Sequence, residues 1–344
     1  METNSRKSIL VIYTGGTIGM IIDQDTGVLK PFNFDNIYQH IPALKLLDND
    51  IQNYCFDPVI DSSNMNPKFW VDIATVISEN YENFDGFVIL HGSDTMAYTA
   101  SALSFMLENL NKPVILTGSQ LPLGMIRTDG RENFITSIEI AAATIDDTPI
   151  VPEVAIYFEN ELMRGNRTIK YNAEHFEAFR SPNYPALAEV GVYIKYKHNY
   201  IRKPNFKRLK VHKNLETNIA VLKLYPGISE NFVRSVLQVD GLKGIILETY
   251  GSGNAPTESW FLEALEQAIE NGIVILNVTQ CQGGSVDMSK YQTGIALKNM
   301  GVINGFDITT EAAITKMMYL FGETADPTLV IEKLTKSLRG EITI

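Results

Sequence analysis

Two periodicities alternate along this chain. Short, continuous apolar runs rich in β-branched residues are followed by longer stretches in which apolar residues recur every third or fourth position. Residues 8–13 form the first run, which ends at Gly15-Gly16, and residues 87–90 form the second, which ends at His91-Gly92. After it, Ala100, Leu103, Leu107 and Leu110 recur at helical steps. Residues 114–116 make a third strand that stops at Thr117-Gly118; a helix is predicted over 131–144 and a strand over 154–158. Strands that are apolar throughout, separated by helices, belong to a parallel sheet covered on both faces.

The rhythm breaks between Lys195 and Lys213. That stretch holds Lys195, Lys197, Arg202, Lys203, Lys207, Arg208, Lys210 and Lys213, and no acid. The pattern restarts with a strand over 219–224, a helix over 229–238, a strand over 244–247, a helix over 256–271 and a strand over 273–278. Helices over 310–321 and 327–338 close the chain. The predicted class is therefore α/β. A larger N-terminal domain (1–194) with a mainly parallel sheet is followed by a linker (195–215) and a smaller, Rossmann-like C-terminal domain (216–344).

Composition adds little to this; charge adds more. With 45% hydrophobic and 20% charged residues in 344, the chain can bury a sizeable core. A formal net charge of −11 makes nucleic acid and anionic membranes poor partners. No motif accompanies the basic stretch, so it reads as a solvated linker rather than an anion dock. Cys55 and Cys281 are not spaced for a metal, and two thiols make no disulfide framework. The first seven residues are polar, and no apolar run reaches the ~18 residues a membrane span needs. The expected location is cytoplasmic.

Open α/β sheets bind ligands beyond the carboxyl ends of their strands. That rule picks out four loops: 14–19, 61–65, 91–95 and 117–120, all rich in Gly, Ser and Thr. In Thr14-Gly15-Gly16-Thr17, a hydroxyl at a strand end can sit exposed, with backbone N–H groups beside it that could hold an oxyanion. The same turn reads equally well as a phosphate cradle, although it lacks both the spaced-glycine fingerprint and a following Gly-Lys-Ser/Thr. Ser93 and Asp94 lie between a strand and a helix and can face one pocket or cap the helix. His91 reads as a packed, hydrogen-bonded strand end. Lys170, in Arg164-Gly165-Asn166-Arg167-Thr168-Ile169-Lys170, carries little signal alone, but beside hydroxyls it could relay a proton.

Taken together these blocks resemble the bacterial-type L-asparaginases, and the cytoplasmic, type I branch in particular. Residues 14–20 (Thr-Gly-Gly-Thr-Ile-Gly-Met) look like the first family signature, and 91–99 (His-Gly-Ser-Asp-Thr-Met-Ala-Tyr-Thr) like the second. Blocks at 61–65, 117–120, 164–170 and 250–256 match as well, so the resemblance runs from about residue 8 to about 321. It implies hydrolysis of L-asparagine to L-aspartate and ammonia, without a cofactor, through an acyl-enzyme on Thr14. It also implies that Ser62, with Asp61 and Ser63, binds the substrate carboxylate and that Asp94 holds its ammonium. Ser93, Asp94 and Lys170 would form a proton-handling set. A neighbouring subunit would complete the site, with Asn254 a contributor, so a homodimer or homotetramer is expected. Minor glutaminase activity fits the same site, because one methylene is discriminated by only ~1–3 kcal/mol.

The chain departs from the family pattern at two places. Ser93 stands where threonine is usual, which keeps the hydroxyl and loses the methyl that restricts χ1. The lid, residues 21–30, has Val28 where a tyrosine is usual. That leaves the activation of Thr14 open and supports, as an alternative, a catalytically weak or inactive amino-acid-binding protein of the same fold. A further alternative, the amidase subunit of a tRNA-dependent amidotransferase, normally carries a domain ahead of the first signature. Here the signature begins at Thr14. Cys281 reads as a small buried thiol at a strand end, with an effector pocket there as the competing reading.

Overall fold

The first strand, Lys7–Tyr13, is apolar because it lies inside a sheet. It pairs in parallel with Asn49–Cys55 on one side and with Gly86–Leu90 on the other. Val114–Thr117 and then Val154–Phe158 continue the parallel run. Three short strands follow antiparallel: Glu161–Arg164, Ala188–Val190 and Ile194–Tyr196. The result is a mixed eight-stranded sheet whose centre is parallel. Helices Pro67–Asn80, Met96–Met106 and Gly130–Ala142 connect the parallel strands, and Phe134, Ile138 and Ala141 join Ile9, Val11, Val88 and Ile115 in the core.

The structure is a computed structural model and describes residues 6–22, 29–31, 38 and 41–344. The chain forms two compact units, Met1–Val211 and His212–Ile344. The second unit holds an all-parallel sheet in the order Ile219–Lys223, Gly244–Thr249, Val274–Thr279, Ile303–Asn304. Helices Glu230–Leu237, Ser259–Glu270 and Thr310–Glu323 accompany it, so the expected α/β class holds in both units. The last helix, Pro327–Leu334, ends four residues before the sequence pattern suggests. At its end the backbone carbonyl of Leu334, and just beyond it that of Lys336, accept hydrogen bonds from Lys316 Nζ.

The basic stretch is exposed along most of its length and is fastened to the sheet unit at several points. Arg202 N–H donates to Glu153, Asn111 Oδ1 accepts from the backbone of Asn205 and Phe206, and Lys210–Val211 pairs with Leu107–Glu108. Side-chain amides and a carboxylate thus satisfy backbone donors that would otherwise need water. Glu153 also pairs with Arg164 at 2.6 Å, both about 5% exposed.

A buried polar chain ends the strand Gly86–Leu90. His91 Nδ1 lies 2.7 Å from the Gly92 carbonyl, which can only accept, so this nitrogen carries the proton. Nε2 then accepts from the Thr99 hydroxyl at 2.9 Å, and Thr99 Oγ1 accepts from the Trp70 indole at 3.0 Å. Every member is satisfied with a neutral imidazole. Burial pushes His91 down to about 4, against the opposing pull of the Gly92 carbonyl.

Two outcomes follow from these buried groups. The folded pKa of His91 lies below its unfolded value, so the unfolded chain takes up a proton that the folded chain refuses. The stability this group contributes is therefore complete above about pH 6.5 and is lost as pH falls towards 4, at about 1.4 kcal/mol per pH unit. Urea unfolding at pH 7.0 and 4.5 should show a shallower pH slope in His91→Gln than in the parent, and equal slopes would refute the assignment. In the second unit, Lys316 and Glu341 pair at 2.6 Å with both side chains 0% exposed. Glu341→Ala should cost about 3–5 kcal/mol by denaturant titration, because it strands a buried ammonium. Lys316→Met combined with Glu341→Leu should recover most of that loss.

Candidate active site

Neighbouring parallel strands end at Tyr13, Leu90 and Thr117, and their loops emerge side by side. Thr14 is held from two directions. Its N–H donates to the Leu90 carbonyl at 3.1 Å, and its own carbonyl accepts from Ile60 N–H at 2.7 Å. The next residues can follow only without side chains. A Cβ on Gly15 would lie 2.1 Å from the Ile60 carbonyl oxygen, and one on Gly16 would lie 2.5 Å from Gly92 N. Both glycines have positive φ, 142° and 90°, so the close approach and the turn require the same residue type.

The exposed hydroxyl expected at Thr14 is buried: the residue is 1% exposed, and its Oγ1 donates to the Leu90 carbonyl at 3.0 Å. The reason is that the backbones at Ile60 and Leu90 close over both its sides. Tyr13 supports the loop from below. Its ring fills the space beside Gly19, and its hydroxyl donates to the Gly19 carbonyl.

The second loop brings three of the candidate residues together. Lys170 stands on a two-residue strand, Ile169–Lys170, paired with Phe179–Arg180. From there Nζ reaches Ser93 Oγ at 3.0 Å and Asp94 Oδ1 at 2.5 Å. Asp94 is 65% exposed on its side chain and Lys170 18%, so the pair opens towards solvent from the carboxylate side. A carboxylate accepts about four hydrogen bonds, which leaves Asp94 room for a cationic ligand. No side chain caps the helix that starts at Met96, so the capping roles considered for Ser93 and Asp94 are not taken up.

The loop at 61–65 is a single 3-10 turn, Ser62–Asn64. Asp61 accepts from both the N–H and the hydroxyl of Ser63 at 2.9 Å, and these bonds hold its carboxyl below the usual range. Ser62 is buried, with its side chain against Gly92, and its carbonyl accepts from Thr95 Oγ1 at 2.7 Å. Thr95 has no role expected from sequence. The signal that could have found it is a hydroxyl in the helix-start position. Gln120 bridges to the Ala173 and His175 carbonyls, tying the 117–120 loop to the chain just past Lys170.

Asn254 belongs to the second unit. It closes a turn in which Tyr250 and Asn254 pair, and its side chain accepts from Thr293. Val28 and its lid neighbours 23–27 lie outside the described residues. Cys281, expected to be buried, is exposed, because the chain has already left strand Val274–Thr279 and its N–H turns back to Thr279 Oγ1. Among the described residues no group of three or more His, Cys, Asp or Glu side chains could hold a metal, and no helix is long and apolar enough to cross a membrane.

Comparison with known proteins matches both units. The N-terminal asparaginase model covers residues 8–202, and the glutaminase/asparaginase C-terminal domain model covers residues 218–332. The chain is 45% identical to L-asparaginase 1 of Escherichia coli over 341 residues, 98% of each chain. It is 41% identical to the human 60 kDa lysophospholipase, covering 98% of this chain and 62% of that protein. The crystal structure of L-asparaginase I from Vibrio cholerae superposes with a TM-score of 0.90 at 43% identity, covering 98% of this chain and all of the other. On both halves of its sequence and on its fold, this chain belongs to the asparaginase family.

Proposed function

We propose that this protein hydrolyses L-asparagine to L-aspartate and ammonia, with Thr14 as nucleophile. The observation that carries the reading is the Ser93–Asp94–Lys170 set one strand away from Thr14, beside the Ser62 turn. These are a proton-handling group, a carboxylate for the substrate ammonium and hydroxyls for its carboxylate, on adjoining loops. Similarity to an L-asparaginase along 98% of both chains supports the substrate.

Thr14 Oγ attacks the side-chain amide carbon, forming an ester as the C–N bond breaks, and the hydroxyl proton leaves with ammonia. Water then cleaves the ester and releases aspartate. A threonine hydroxyl is a weak nucleophile unaided, and the Leu90 carbonyl that Thr14 faces can accept a hydrogen bond but cannot take the proton. We assign proton transfer to Lys170 acting with Ser93. Glutamine is assigned as a minor substrate. The assembly is proposed as a homodimer or homotetramer in the cytoplasm, in which Asn254 of a neighbouring copy contacts substrate. A monomeric mass by light scattering would overturn that part.

Ammonia release across a concentration series of asparagine and of glutamine tests the activity. Thr14→Ala should lower kcat by at least roughly 10³-fold, Thr14→Ser should retain measurable turnover, and Lys170→Met should lose about 10²–10⁴-fold. If Thr14→Ala kept most of the rate, another hydroxyl would have to be the nucleophile. Binding of asparagine without ammonia release by the parent would favour a binding protein instead.

A further inference from the structure

Thr95 occupies the helix-start position of Met96–Met106, where a threonine hydroxyl ordinarily accepts from a backbone N–H of the first turn. Here it makes no such cap. It donates instead to the Ser62 carbonyl, 33 residues away in sequence, at 2.7 Å. A local bond has been exchanged for one that ties two loops together.

That tie has a geometric consequence. The Ser62 turn is anchored at its start, where Ile60 N–H meets the Thr14 carbonyl at 2.7 Å. Ser62 presses against Gly92 so closely that a Cβ there would lie 2.4 Å from Ser62 Oγ. The Thr95 bond is a further fastening, made from the turn to the loop of the second strand, and Thr95 directly follows Asp94. In the proposed reaction, Ser62 and Asp94 hold the two ends of the amino-acid head and Thr14 attacks the side chain. The spacing between head and attacking atom therefore depends on how firmly the Ser62 turn is held.

We infer that Thr95 is a positioning residue that sets the length of substrate side chain the site accepts, favouring the shorter amide over one with an extra methylene. This rests on the proposed amidohydrolase reading. Thr95→Val keeps the shape and removes the donor. The Ser62 carbonyl still accepts from Met65 N–H at 3.1 Å, so no buried acceptor is orphaned and the variant should fold.

The test measures kcat and KM for asparagine and glutamine in the parent, Thr95→Val and Thr95→Ser, with a thermal melt for each. Thr95→Val should raise KM for asparagine about tenfold with kcat within about threefold. It should also lower the asparagine-to-glutamine ratio of kcat/KM at least about fivefold. Thr95→Ser, which restores the donor, should return both to parental values. Equal losses for the two substrates, or no change in either, would overturn the inference while leaving the activity intact. A parent that releases ammonia from neither amide would instead overturn the reading of function on which it rests.

Discussion

Backbone passing backbone without side chains between them is the constraint on which the site depends. At Gly15 and Gly16 the loops from separate strands come closer than any Cβ would allow, and at Gly92 the Ser62 side chain fills the place of one. Ordinary loops stand apart and interact through side chains, whose rotamers add slack. Here the loop that carries Thr14 meets its two neighbours through main-chain atoms, at Ile60 and at Gly92, so its position relative to them follows closely from the strand register, while side chains complete the contact between Ser62, Gly92 and Thr95. Small departures in placement cost rate steeply, and a rigid sheet edge is the part of the fold best able to prevent them.

The parallel sheet brings the strand ends together, but a second layer of buried polar groups aims them. The Trp70–Thr99–His91 chain fixes the Gly92 carbonyl from beneath, one residue ahead of Ser93. The Arg164–Glu153 pair anchors the segment that leads to Lys170 and also receives the backbone of Arg202. Buried charges with partners add little net stability, yet losing one partner is costly. Such groups specify geometry more than they stabilise it, and these lie next to segments that must be placed accurately.

The apolar strands at the centre of both sheets were legible because burial on two faces leaves a continuous run. The edge strand Asn49–Cys55 was not, since it alternates with polar residues and is largely exposed. Nor were the short antiparallel strands beyond Val154–Phe158, which carry too few residues to show a period. The loops of the site could be picked out by their place after strands. Their convergence could not, because Lys170 meets Ser93 across 77 residues and nothing in local sequence encodes that. It came only through family resemblance. The burial of Thr14 was missed for a related reason: exposure is set by the neighbouring loops and not by the glycines that follow the residue.

Serine at position 93 keeps an oriented hydroxyl in this geometry. A threonine methyl would restrict χ1 through its own branching. Ser93 lacks it, yet its hydroxyl is not left to wander, because Lys170 Nζ bonds it at 3.0 Å while Asp94 holds the same ammonium at 2.5 Å. A methyl would orient the hydroxyl from within the residue; the Lys170 bond orients it from across the site. The two means differ in what they respond to. A methyl acts whatever the state of the lysine, whereas the Lys170 bond depends on where Asp94 holds the ammonium. In this chain the aim of the Ser93 hydroxyl is therefore coupled to the Lys170–Asp94 pair. A ligand cation that competes for the Asp94 carboxylate would also bear on the hydroxyl beside it.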